Sequence, residues 1–276
     1  MNKKIIALVL AVLAMVSVLA ACTNSNTNET TPAANATGST APAEEVTFAT
    51  VDETPAAIIN ADTQFELIAE KINIWKLKDF DTTDTPEAFK YAVTDLDNNG
   101  RLEIFSAAST GSSYATSANL YEVNEELTDL TLLHETGYMS EDVEPDFIVD
   151  STDCYINPET MERFYIYSNS HRFEGEEILL TKGYFFLTDE DMDKYWLINK
   201  TVKTDGSYSY KDCEDFSLTE EEFNNYMDKH YAGYAKLTAT FGWNDFANAE
   251  GVTVADLTKA EFVNNLRSSF AEFSVK

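Results

Sequence analysis

The sequence predicts an α+β fold, an antiparallel β-sheet meander with an N-terminal helix and C-terminal helices packed on it. Three observations carry that reading. Segments rich in Tyr, Phe, Ile and Trp fill the middle of the chain, separated by short charged or glycine-containing turns, which is how consecutive antiparallel strands read. Apolar residues at helical spacing come before that block and again after it. Strands and helices do not alternate, so a parallel α/β sheet is disfavoured, and no internal repeat suggests a solenoid or propeller.

Before the fold begins, the chain reads MNKKIIALVLAVLAMVSVLAAC. Two lysines followed by a short apolar run, Ile5 to Ala21, have the form of an export signal rather than of a lasting membrane span. The end of this run, Leu19-Ala20-Ala21-Cys22, resembles the lipobox of bacterial lipoproteins. That resemblance implies a signal peptide over 1–21, a diacylglyceryl group on the Cys22 thiol, and Cys22 as the new N-terminus. It places the protein at the cell membrane, lipid-anchored on the extracytoplasmic face. Two acyl chains, at about 0.8 kcal/mol per buried methylene, make a lasting anchor.

Thr23 to Glu45 is made almost wholly of Thr, Asn, Ala, Ser, Pro and Glu. Such a segment has no large apolar side chain to bury and cannot offset the entropy of ordering itself. Residues 22–45 are therefore expected to be a disordered linker with a root-mean-square reach of about 25 Å. Residues 46–276 are expected to form a single α+β extracytoplasmic domain.

Charge narrows the partners. There are 48 acidic and 19 basic side chains, a formal net charge of -29. Such a surface repels phosphate backbones, which excludes nucleic acid as a partner. Besides Cys22 there are two cysteines, Cys154 and Cys213. In an exported protein they could form a disulfide, or each could serve as a small buried apolar residue.

Within the domain, Phe65, Ile68, Ile72 and Trp75 recur at helical spacing, and Thr63 with Glu66 has the pattern of a capping box. Strands are predicted at Tyr91–Val93, Leu102–Phe105, Asn119–Val123, Leu130–Leu133, Met161–Tyr167, Ile178–Leu187 and Lys194–Val202. Helices return in SLTEEEFNNYMDKHYAGY, where Thr219 and Glu222 form a second capping-box pattern. The closing helix carries Phe262, Leu266, Phe270 and Phe273 on one face.

The densest chemistry lies in VTDLDNNGRLEIF, Val93 to Phe105. Counting from Asp95, side-chain oxygens fall at positions one (Asp95), three (Asp97), five (Asn99) and nine (Glu103). Gly100 is at six, and the Arg101 carbonyl at seven. Alternating oxygens around a turn-permitting glycine suit a hard cation, and calcium best, since it accepts six to eight oxygens in flexible geometry. An EF-hand would need flanking helices and a Glu at position twelve, where Ser106 stands. The loop more closely resembles the D-x-D-x-[DN]-G-x-x-[DE] calcium loops of FG-GAP-type repeats, in which a hairpin carries the ion. This resemblance implies Asp95, Asp97, Asn99, Glu103 and the Arg101 carbonyl as ligands of one structural calcium ion. The wider phrase YAVTDLDNNGRLEI is also similar to a group of exported bacterial lipoproteins of unassigned function, which implies location and architecture but no activity.

Two other readings of the loop stand beside calcium. Asn98-Asn99-Gly100 could simply turn a hairpin, with the aspartates making local bonds. A haloacid-dehalogenase-like phosphatase would use the first Asp as nucleophile, but Asn99 stands where that family has Thr or Val. Elsewhere, Thr188–Asp193 alternates carboxylates without the glycine, and His134, His171 and His230 match no zinc-protease spacing. Aromatics at Tyr208, Tyr210 and Trp243 could stack on sugars or pack in a core. The expected function is a lipid-anchored extracytoplasmic binding module, stabilised by calcium, for a glycan, peptide or envelope component. The alternative is a carboxylate-dependent hydrolase acting on cell-envelope or dietary polymer.

Overall fold

The computed structural model describes residues 46–52, 54–77, 88–110, 115–135, 146–173, 176–185, 194–212, 214–247 and 253–276. The signal, Cys22, the linker, Thr188–Asp193 and Cys213 lie outside the described residues. Residues 45–276 form one compact unit.

The chain is α+β, and its strands are antiparallel, in two sheets. The first sheet is built from β1 (Ala88–Thr94), β2 (Glu103–Thr110), β3 (Ala115–Val123), β4 (Leu130–Glu135) and the two-residue β12 (Asn244–Asp245). Their order is β12-β1-β2-β3-β4. The second sheet contains β5 (Ser151–Ile156), β6 (Arg163–Phe173), β7 (Glu176–Phe185), β8 (Lys194–Val202), β9 (Tyr208–Asp212), β10 (Ser217–Leu218), β11 (Ala235–Thr240) and β13 (Ser274–Val275). Here β5 to β10 follow one another as a meander, and β11 and β13 extend the β5 edge. The helices are α1 (Ala61–Glu70), α2 (Ile72–Trp75), α3 (Glu220–Asn224), α4 (Tyr226–His230) and α5 (Lys259–Glu272).

Strand alternation explains the layering, because successive side chains leave a strand on opposite faces. On β1, Tyr91 and Val93 join a helical-side core with Phe65, Ile68, Trp75, Phe262 and Leu266 of α1, α2 and α5. Ala92 between them joins a second core with Phe105, Leu120, Cys154, Ile156, Tyr165 and Tyr167, which fills the space between the two sheets. On the outer face of the second sheet, Tyr155 packs with Tyr231, Phe164, Ile166 and residues of α4. Cys154 is thus fully buried, facing the inter-sheet core.

The helix boundaries differ from expectation at the first helix and at the penultimate one. The Thr63/Glu66 box does not form, because α1 starts at Ala61 and its N-cap is Asn60, in the left-handed conformation with no side-chain cap. Backbone bonds from Thr63 and Gln64 to the Asn60 carbonyl close that first turn instead. The Thr219/Glu222 box does form, on α3, and Thr258 with Glu261 makes another on α5. The predicted penultimate helix is two short ones, divided at Asn225. Met161 is a turn residue with φ 62°, so the strand there begins at Arg163.

Candidate metal centre

The pairing of Thr94 with Glu103 closes β1 and β2 into a hairpin whose connection is Asp95 to Leu102. Two of its residues, Asn98 (φ 59°) and Gly100 (φ 83°), are left-handed, a conformation that asparagine tolerates and glycine adopts without cost. A Cβ at Gly100 would also come 2.8 Å from the Ala57 carbonyl oxygen. This turn folds the peptide N–H groups inward. Asp95 Oδ1 accepts from Asn99 N at 2.9 Å, its Oδ2 accepts from Gly100 N at 3.2 Å, and Asp97 Oδ1 accepts from Asn99 N at 3.1 Å.

Glu103 reaches the same point from the opposite strand. Its Oε2 accepts from Leu96 N at 2.8 Å and from Thr94 Oγ1 at 2.9 Å. Both bonds fall on one oxygen of a side chain that is only 2 % exposed. One carboxylate oxygen each from Asp95, Asp97 and Glu103 lie within 4.8 Å of one another. Asp95 is itself only 6 % exposed.

Three acids so close, two of them almost wholly buried, repel one another. At an effective dielectric of about 20, charges at that spacing oppose each other by on the order of 3 kcal/mol per pair. Burial, and then the charge of Asp97, pushes the Asp95 carboxyl up to about 6. Burial also raises Asp97, and it raises Glu103 well above the usual carboxylate range, with the two aspartates adding to that rise. A fourth acid, Glu122, stands across from Glu103 in the β2–β3 register. Its Oε2 accepts from Arg101 Nη2 and its Oε1 from Asn99 Nδ2, both at 2.7 Å. Arg163 Nη1 donates to the Asp97 carbonyl at 2.6 Å and so pins the turn to the second sheet.

Of the predicted ligands, Asp95, Asp97 and Glu103 are brought together. Asn99 stands beside them with its Nδ2 toward Asp97 Oδ2, while its Oδ1 accepts from Arg101 N. Arg101, expected through its carbonyl, also brings its guanidinium, 2.7 Å from Glu122 and 3.5 Å from Glu125. Glu122 was not anticipated. Only the β2–β3 register reveals it, and a single strand's alternation does not carry that information.

The group that gathers here is all oxygen, with no thiolate or imidazole, and so fits a hard divalent cation rather than a softer transition metal. Both Asp95 oxygens are held by backbone N–H groups, which suits a positioned ligand better than a nucleophile. Among the aromatics considered for stacking, Tyr210 is buried. Trp243 packs on the inter-sheet core and donates to the Val149 carbonyl at 2.8 Å. Tyr208 is 55 % exposed, with the Lys200 ammonium 4.2 Å from its ring centroid. A cleft lined by Lys76, Phe246, Thr253, Val254, Lys259 and Phe262 lies on the helical side. No protein-family model matches the chain, and no curated protein or solved structure matches it. The geometry of the acidic hairpin is therefore what supports a functional reading.

Proposed function

We propose that this protein is a lipid-anchored, extracytoplasmic binding module stabilised by one calcium ion. Lipidated Cys22 holds it to the membrane, and its partner is a glycan, peptide or envelope component. The observation that carries the calcium part is the convergence of Asp95, Asp97 and Glu103 in one tight hairpin, with Asp95 and Glu103 buried. A divalent ion would turn their mutual repulsion into coordination. Calcium is preferred over magnesium because carboxylates fixed by backbone bonds on a turn suit a flexible, many-oxygen shell better than a strict octahedron.

Calcium titration during thermal melting of residues 46–276 tests this. At ten times its Kd, calcium adds about 1.4 kcal/mol, equivalent to a rise of about 3–6 °C for a domain of this size. Asp97→Ala should abolish the rise, and a melt indifferent to both calcium and chelator would sink the proposal.

One observation favours the hydrolase reading, namely that Asp95 keeps its proton to about 6 beside a second carboxylate, as a general acid does. Against it, Asp95 and Glu103 are almost wholly buried. Turnover of an envelope or dietary polymer that is lost in Asp95→Asn would favour the enzyme.

A further inference from the structure

The chain carries 48 acidic side chains against 19 basic ones, yet the cleft on the helical side has the opposite balance. Two lobes meet there, of about 450 and about 570 Å³, and Lys76, Phe246 and Thr253 line both. The first lobe adds Lys259 and no acid, and the second adds Lys90 and one acid, Asp245. Volumes of this size are those of small-molecule sites. The floor is apolar and fixed from below. Phe246 N donates to the Phe89 carbonyl at 3.1 Å, and the Phe246 carbonyl accepts from Val254 N at 2.9 Å. The Phe246 ring stacks on Phe89 with centroids 4.1 Å apart and lies 5.7 Å from Trp75. Trp75 stacks in turn on Phe262 at 6.2 Å, and its Nε1 donates to the Ile68 carbonyl at 2.7 Å. Phe246, Val254 and Phe262 are buried members of the helical-side core, so these walls stand in place without a ligand to order them, which lowers the cost of binding one.

The three lysines differ in what already neutralises them. Lys90 pairs with Asp245 at 3.4 Å, and Lys259 with Glu70 at 3.6 Å. Lys76, the residue after α2, pairs with no carboxylate among the described residues, and its Nζ lies 5.4 Å from the ring centroids of both Phe89 and Phe246. Ring quadrupoles attract an ammonium but carry no net charge, so the charge of Lys76 stays uncompensated. One such ammonium beside an apolar lobe without an acid matches a ligand with a single negative charge and an apolar body.

We propose that the first lobe is a binding site for a small monocarboxylate with an apolar body, its carboxylate on Lys76 and its body along Ile72, Val254, Leu257 and Phe262. Lys259 adds attraction at the rim, since an exposed pair such as Lys259 with Glu70 holds weakly. Asp245 keeps the same anion out of the second lobe by repulsion. The site shares no residue with the acidic hairpin, so it stands apart from the calcium reading. It gives the binding module a ligand class.

Titration calorimetry of the full chain in a neutral detergent, with chelator present, tests the site with three probes that share one body: phenylbutyrate, phenylbutanol and phenylbutylamine. The carboxylate should bind about tenfold more tightly than the alcohol, as one ion pair near a protein surface allows, and the amine should not bind. Lys76→Met keeps an apolar stem over the rings and should weaken the carboxylate about tenfold while leaving the alcohol unchanged. Lys90→Met removes the same charge from the second lobe and should shift the Kd of the carboxylate by less than about twofold. A thermal melt like that of the parent chain checks that both variants fold. Equal affinity for the three probes, no binding of the carboxylate, or an affinity that Lys76→Met leaves unchanged overturns the site. Equal losses in the two variants overturn it as well, because they would show attraction by net charge alone.

Discussion

At the scale of single residues, the carboxylates set an unusual pH response. Burial and the charge of Asp97 raise Asp95 in the folded state to about 6, against an ordinary value of 3.8. A raised folded value means that the folded state binds the proton more tightly. The stabilisation is complete below the unfolded value and is lost as pH rises through the folded one. In chelator, then, acidification from pH 7 towards pH 4 should stabilise the protein. A shift of this size corresponds to roughly 3 kcal/mol at most, and Glu103 moves in the same direction. His230 works in the opposite sense, since burial lowers its value and its charging below the usual histidine range opposes folding. The clean measurement is therefore a difference. Urea midpoints of the chain and of Asp95→Asn, both in chelator, should converge as pH falls from 7 to 4, and parallel curves would refute the assignment. The spacing of Asp95, Asp97 and Glu103 could be read in the sequence because all three belong to one hairpin. Glu122 could not, because it reaches them only through the pairing of β2 with β3.

At the scale of elements, legibility followed how strongly a segment advertises its buried face. The aromatic-rich strands β6 to β8 and the apolar stripe of α5 stood out, whereas β5 (STDCYI) and β11 (AKLTAT) did not. These two pair with each other along their length, yet their inward positions include the small residues Cys154, Ala235 and Ala239, between Thr, Asp and Lys. A strand that packs through small side chains leaves little hydrophobic signal. The first capping box failed for a different reason. The hairpin fixes Ile59 and Gln64, so α1 begins where that contact places it, ahead of Thr63. The docking of α5 shows another contact no periodicity reveals. The short β12 pairs with β1 only at Lys90 and Tyr91. Beyond them, Ser269 of α5 supplies the missing partner, accepting from Val93 N at 2.9 Å and donating to the Gly242 carbonyl at 2.5 Å. Ser269 is 1 % exposed, so Ser269→Ala leaves a buried donor and a buried acceptor unsatisfied. The expected cost is about 2–4 kcal/mol, read as a lower urea midpoint, with the calcium-induced rise in melting temperature retained. A loss below about 0.5 kcal/mol would show that α5 is not docked through this serine.

At the scale of the whole molecule, the α+β class was legible, but the division into two sheets was not. The central residues of β1 are buried on both faces, Tyr91 and Val93 against helices and Ala92 against the other sheet. A run buried on both sides reads the same whether one layer or two lie beyond it. The same scale bears on the proposed membrane attachment. Among the described residues no helix is long and apolar enough to cross one. Cleavage before Cys22 would remove Lys3 and Lys4 and no acid, leaving a formal charge of -31 on a chain that begins at -29. Anionic headgroups repel such a surface, so attachment through the folded part would require either a bridging cation or a protein partner. If Cys22 carries the whole attachment, Cys22→Ala should move the protein from the detergent-requiring membrane fraction into the soluble one, while the parent chain stays behind through salt and chelator washes. Variant protein that remains on membranes and comes off with chelator would point to a calcium bridge through the acidic surface. Variant protein that resists chelator and salt would defeat the lipid anchor outright.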